Sequence, residues 1–205
     1  MSAKVKVDIS VSLDGYAAGP DDGPEHPLGR GGEQLHEWVV RTASWRSRHG
    51  YEGGTAGADS DLMEEAFTGT GAIVMGRRMF DLGEPYWGED PPFRMPVFVV
   101  THEQREAIVR GETTFAFVTG GPEGALERAR EAAGDADVSV GGGADVIRQL
   151  LRAGEVDELQ LHIVPVLLGG GASLLGGLSP DDVRFEQVRA LEGDGVTHVK
   201  LRTVR

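Results

Sequence analysis

Val138-Ser139-Val140-Gly141-Gly142-Gly143-Ala144-Asp145-Val146-Ile147-Arg148-Gln149-Leu150-Leu151 changes its hydrophobic period halfway along. Val138 and Val140 alternate with smaller or polar residues, the two-residue period of a strand, whereas Val146, Ile147, Leu150 and Leu151 recur at the spacing of one helical face. Three glycines separate the two patterns, so the stretch reads as strand, glycine turn, helix. Glycine lets backbone approach a ligand closely, and a helix's first turn offers unpaired N–H groups at the positive end of its dipole. Together they suit a phosphate, and the alternative is a plain tight connection. The dinucleotide pattern G-x-G-x-x-G fails, because Val146 stands where its last glycine belongs, and no P-loop pattern occurs. A standard Rossmann domain and a P-loop fold are thereby disfavoured.

The 205 residues suffice for one well-buried domain, and we read 1–205 as a single domain. Lys and Arg number 20 against 33 Asp and Glu, a net charge of −13, which argues against nucleic acid or an anionic membrane as partner. A bound phosphate therefore needs a local basic patch. Cysteine is absent, so disulfides, thiolate metal sites and cysteine nucleophiles are excluded. The six histidines show no metal-ligand spacing, and no metal is expected. Neither a signal peptide nor a membrane-length apolar run is evident, and a cytoplasmic location is expected.

Working outward, Lys4 to Val11 alternates as a half-buried strand and runs into a glycine-rich loop reaching Gly32, a candidate lid. Leu35, Trp38, Val39 and Thr42 share one face of a helix expected over Glu33 to Ala43. Ser44 to Gly57 reads as a surface loop, and Asp59 to Phe67 as a helix capped by Asp59 or Ser60. Ala72 to Met75 is a short, continuously apolar strand. Pro96 to Thr101, Thr114 to Val118 and Asp157 to Val164 are further strands, and Gly124 to Ala133 is a helix. Two closing strands, Val183 to Leu191 and Val196 to Val204, flank the turn Gly193-Asp194-Gly195. Strands alternating with helices, then a terminal hairpin, predict a mainly parallel α/β sheet with an antiparallel edge.

Ligands of such sheets collect where loops leave the carboxyl ends of strands. Gly76-Arg77-Arg78 follows one strand, and two arginines in a helix's first turn oppose its dipole unless an anion lies near; the alternative is a solvated pair. Thr101-His102 follows another strand, with a hydroxyl and a titratable ring suited to a ribose phosphate, or with Thr101 as a helix cap. The glycine triplet is the third loop. There the Asp145 carboxylate would repel a pyrophosphate unless turned away.

In order along the chain stand Val11-Ser12-Leu13-Asp14-Gly15-Tyr16-Ala17-Ala18-Gly19, Ile73-Val74-Met75-Gly76-Arg77-Arg78-Met79-Phe80, Val99-Val100-Thr101-His102, Val140-Gly141-Gly142-Gly143, and Val156-Asp157-Glu158-Leu159 with Pro165-Val166-Leu167-Leu168-Gly169. This series resembles the dihydrofolate reductase-like family, and most closely the reductase domain at the C-terminus of the bifunctional deaminase-reductase of riboflavin biosynthesis and its free-standing bacterial relatives. The resemblance implies a three-layer sandwich, a mixed, mostly parallel sheet of about eight strands with an antiparallel C-terminal hairpin and helices on both faces. It further implies NADPH as cofactor and a homodimer, to which Leu159 to Val166 with Leu167-Leu168 could contribute an interface.

By the same resemblance, Gly76, Arg77 and Arg78 match the motif that holds NADPH phosphates. Thr101 and His102 match the loop near the adenosine 2′-phosphate, and Gly141, Gly142, Gly143 and Ala144 match the pyrophosphate loop. Asp14, Tyr16 and Ala17 fall on the mobile loop over the nicotinamide. The implied chemistry is hydride delivery to an electrophilic C=N or C=O carbon of a small molecule, a pterin, a pyrimidine or another heteroaromatic. Dihydrofolate reductases carry an acidic residue early in the first helix; with the tryptophans matched, Leu35 takes that place. Glu33, Glu37, Trp38 and His162 are the substitute substrate-binding candidates, against a solvated helix face or a core hydrogen bond. The insertion over 44–57 and the missing deaminase segment leave the substrate unassigned. Alternatives are a specialised tailoring reductase and a non-catalytic nucleotide-binding module of the same fold.

Overall fold

The computed structural model describes residues 3–204. Nine strands form one sheet: β1 (Val5–Ser12), β2 (Thr70–Gly76), β3 (Pro96–Val100), β4 (Ile108–Arg110), β5 (Thr113–Val118), β6 (Asp137–Gly142), β7 (Glu158–Val164), β8 (Arg184–Gly193) and β9 (Val196–Val204). Their spatial order is β4-β5-β3-β2-β6-β1-β7-β9-β8. The six strands from β5 to β7 in that order run parallel, while β4 at one edge and the β8–β9 hairpin at the other are antiparallel. This is the expected mixed sheet with one strand more than anticipated. The addition is the three-residue β4, too short to leave a period in the sequence.

Six α-helices are described: α1 (Glu37–Val40), α2 (Ala43–Arg48), α3 (Ala58–Phe67), α4 (Arg77–Gly83), α5 (Gly121–Ala133) and α6 (Ala144–Arg152). The helix expected over 33–43 is instead a 3-10 turn, Gly32–His36, followed by the single turn of α1. It stops because Thr42 leaves helical conformation to cap α2, its side chain accepting from the Trp45 N–H at 3.3 Å. The start of the supposed 44–57 surface loop is therefore helical. Helix α3 starts behind Gly57, not at an Asp59 or Ser60 cap. Both side chains are used elsewhere: the Ser60 hydroxyl accepts from the Ser44 N–H at 3.0 Å, and Asp59 faces His198.

The two faces of the central sheet differ sharply. On one, Val5, Val7, Val138, Val140 and Leu159 are buried against Leu126 and Ala129 of α5 and Ile147, Leu150 and Leu151 of α6. On the other, pairing register sets Lys6 beside Ser139 and Glu158, Asp8 beside Gln160, and Ser10 beside His162, which itself pairs with His198. That polar face lies under Leu35, Trp38 and Val39, which pack with Val164 and Val196. Further along the sheet an aromatic cluster of Phe80, Phe115 and Phe117 closes the core beneath α4.

Candidate active site

β2 and β6 are neighbours, so their carboxyl ends bring Gly76 and the glycine triplet together. A Cβ on Gly76 would lie 3.2 Å from the Gly143 nitrogen, which is why the close approach of the two turns needs glycine there. Gly142 has φ +133°, a conformation that disfavours any side chain, and the Gly142–Gly143 peptide is cis. Gly143 differs: its backbone is ordinary (φ −69°, ψ 173°), and a Cβ there would meet nothing within 4 Å. Gly143 is also the N-cap of α6, whose next N–H groups, beginning with Ala144, have no partner inside the helix. Open space thus adjoins the backbone at the positive end of a nine-residue helix. The Asp145 carboxylate beside it is engaged along the helix, accepting from Arg148 at 3.2 Å and Gln149 at 2.6 Å.

Arg77 and Arg78 open α4 directly after Gly76. Arg77 donates from Nε to both Asp81 oxygens at 2.8 and 2.9 Å and from Nη1 to the Thr101 hydroxyl at 3.3 Å, with Glu103 at 3.5 Å. Arg78 donates to Asp22 Oδ2 at 2.5 Å, Oδ1 at 2.9 Å and the Asp22 carbonyl at 2.5 Å. Asp81 raises the Arg77 pKa, Asp22 raises that of Arg78, and Arg78 lowers that of Asp22. Both guanidiniums thus stand at the carboxyl edge of the sheet, each paired with a carboxylate. Thr101 is buried and joins that edge, whereas its neighbour His102 is exposed.

The loop after β1 is stitched to the segment 166–174. Leu13 N–H donates to Val166 O at 2.9 Å, Ala17 N–H to Ala172 O at 2.8 Å, Ala172 N–H to Ala18 O at 3.0 Å, and Leu174 N–H to Gly15 O at 3.0 Å. Asp14 adds side-chain bonds, accepting from the Gly169 N–H at 2.8 Å, the Leu168 N–H at 3.2 Å and the Ser12 hydroxyl at 2.5 Å. The Ser12 bond is the main cause of its lowered pKa. Tyr16, bridged to Ser173, accepts through its carbonyl from the Ser12 N–H.

Among the substrate candidates, Glu33 and Glu37 are exposed on the 3-10 turn and the start of α1, whereas Trp38 and His162 are buried. Trp38 donates from Nε1 to the Ser10 hydroxyl at 3.0 Å and leans on His162, ring centroids 4.6 Å apart. Both nitrogens of His162 are engaged inside the protein: Nε2 lies 3.0 Å from Asp8 Oδ1 and Nδ1 lies 2.6 Å from His198 Nδ1. His198 Nε2 in turn meets Asp59 Oδ1 at 3.1 Å. Burial pushes His198 below the ordinary histidine value and its bond to Asp59 works against that. Nearby His36 is also pushed down by burial, and its Nδ1 is the single buried side-chain nitrogen or oxygen without a partner among the described residues. Sequence reasoning missed Asp8, Asp59 and His198, whose signal is the pairing register and not any local motif. Among the described residues no cluster of His, Asp or Glu is placed to hold a metal ion, and no helix is long and apolar enough to cross a membrane.

Solved structures share this architecture. A protein named for riboflavin biosynthesis from Shewanella sp. PV-4 superposes with a TM-score of 0.71 at 23% identity, over 98% of this chain and 99% of that one. The deaminase/5-amino-6-(5-phosphoribosylamino)uracil reductase of Thermotoga maritima gives 0.62 at 18%, covering 99% of this chain and 57% of that one. Dihydrofolate reductase from Enterococcus faecalis, solved with NADP(H), gives 0.57 at 12%, over 98% and 96%. No curated protein sequence matches the chain. The family model described as the RibD C-terminal domain matches residues 3–199, and the chain belongs to that family.

Proposed function

We propose that the protein is an NADPH-dependent reductase of a small pyrimidine- or pterin-type molecule, working as one domain over 1–205 in the cytoplasm and as a homodimer. Support comes from family membership and the fold shared with dihydrofolate reductase. The observation that carries the reading is the open backbone at Gly143, closely approached by Gly76, whose next residue Arg77 bonds Thr101.

In this reading Gly141 to Ala144 and the α6 amides would hold the pyrophosphate, and Arg77 with the Thr101-His102 loop would hold the adenosine phosphate. Arg78 exchanges Asp22 for a cofactor oxygen. When bound, reduced nicotinamide supplies a hydride to an electrophilic carbon of the substrate, whose neighbouring atom takes a proton. Trp38, held on Ser10, walls the substrate side, and the stitched loop of Asp14, Tyr16 and Ala17 excludes water over the reacting atoms.

Titration with NADPH and NADH, by calorimetry or by quenching of Trp38, Trp45 and Trp87, tests the cofactor. Micromolar binding with preference for NADPH is expected, followed by turnover in a screen of dihydropterins and aminopyrimidines. Binding of neither dinucleotide overturns the reading, and tight binding without turnover across that screen favours a nucleotide-binding module.

A further inference from the structure

Asp8, His162, His198 and Asp59 form a line of three polar contacts: Asp8 Oδ1 to His162 Nε2 at 3.0 Å, His162 Nδ1 to His198 Nδ1 at 2.6 Å, and His198 Nε2 to Asp59 Oδ1 at 3.1 Å. Ionised carboxylates only accept, so each end bond needs a proton on the ring Nε2. The central contact needs one more, on either Nδ1. Three protons on four ring nitrogens make one ring an imidazolium and leave the other neutral. With two protons, either two lone pairs would meet at 2.6 Å or a ring lone pair would face a carboxylate oxygen. A fourth would set two N–H groups head to head.

We infer that His162 and His198 share one buried proton beyond their neutral complement and are positioning residues that fix the Trp38 wall of the substrate crevice. The placement of Trp38 in a substrate site rests on the reductase reading; the proton does not. The two carboxylates compensate the cation at either end. Trp38 lies 4.6 Å from the His162 ring and 5.0 Å from the His198 ring, so its indole faces whichever ring is charged. The surroundings are tight: a Cβ on Gly193 would lie 2.6 Å from His198 Nε2.

Both ends reach partly exposed clefts through which the proton can exchange. Asp8, its side chain 27% exposed, shares a cleft with Lys6 of β1, Glu158 and Gln160 of β7, Lys200 of β9 and Glu65 of α3. Asp59, 18% exposed, borders Arg41, Glu192 and Asp194. From the 3-10 turn, His36 is the remaining titratable neighbour of His162.

Long-range proton–nitrogen correlation NMR on the uniformly ¹⁵N-labelled full chain counts the protons directly. Three protonated nitrogens among the four of His162 and His198 at pH about 7 is the expected result, and two or four overturns the inference. In Asp8→Asn the new amide donates to His162 Nε2, so the ring count falls to two while all three contacts persist. Asp59→Asn gives the same count from the other end. The Trp38 indole N–H resonance, assigned by Trp38→Phe, moves with pH as the ring pair titrates; an indole signal that ignores that titration overturns the positioning role. Two ring protons in a chain that binds NADPH remove this inference alone, and three in a chain that binds no dinucleotide remove the reductase reading alone.

Discussion

Gly142 and Gly143 are neighbours with opposite reasons for being glycine. At Gly142 the left-handed φ and a Cβ only 2.9 Å from Met79 Sδ make glycine a demand of the fold. At Gly143 φ and ψ are ordinary and the space beside the backbone is open, so no neighbouring atom of the fold excludes a side chain there. Gly143→Ala is therefore expected to leave the thermal midpoint unchanged and to weaken NADPH at least tenfold by calorimetry, whereas Gly142→Val lowers the midpoint itself. Equal cofactor affinity in Gly143→Ala would show that the glycine turn is a plain connection. Arg77→Ala is expected to weaken NADPH by about 10- to 100-fold, the range for one charged hydrogen bond. NADH should suffer less if the lost partner is the 2′-phosphate. Of this site, the glycines and arginines are legible in the sequence because each follows an apolar strand. The Asp22 and Asp81 partners of the arginines are not, since only the folded loop shows that Asp22 reaches Arg78 from 56 residues away.

Short elements were the hardest to foresee. α1 has four residues and α2 six, too few for a helical period to declare itself, and the boundary between them is set by a single hydroxyl, that of Thr42. Removing it in Thr42→Ala should cost about 1 kcal/mol in urea unfolding, the usual worth of an N-cap, and no loss would mean that the break has another cause. Longer elements announced themselves: α6, with Val146, Ile147, Leu150 and Leu151 all buried, and the alternating β1 lie within a residue or two of their expected limits. The loop after β1 was expected to be mobile. Its ladder to 166–174 ties two segments together, so Asp14→Ala should speed amide hydrogen exchange at Leu168 and Gly169 together. Exchange unchanged at both amides would show that the backbone ladder alone holds them.

At the scale of the molecule, the buried and paired groups all weight stability toward neutral pH. Burial depresses His36 below 6.5, so the unfolded chain binds a proton there first and stability falls as pH drops below 6.5. Lysine and arginine partners outweigh burial to depress Glu65 and Glu158 below 4.5, and their contribution is lost in a second step as pH falls through that value. Thermal melts across pH should show both losses, and a flat midpoint between pH about 7.5 and 5.5 would remove the histidine step. The α/β class, the strand order's parallel heart and the terminal hairpin followed from periodicity, but the histidine line did not: its members lie 36, 139 and 154 residues apart and meet only through register. The sheet that aligns them is apolar on one side and polar on the other. Its two surfaces therefore tolerate change differently: the valine side asks only for apolar volume, whereas the side under α1 and α3 asks for particular donors and acceptors. Rewriting the polar side is therefore a matter of keeping its bonds: a library over Ser10 and Ser12, which hold Trp38 and Asp14, should lower the thermal midpoint in most members, and the folded survivors should be those that retain a hydrogen-bonding side chain at both places.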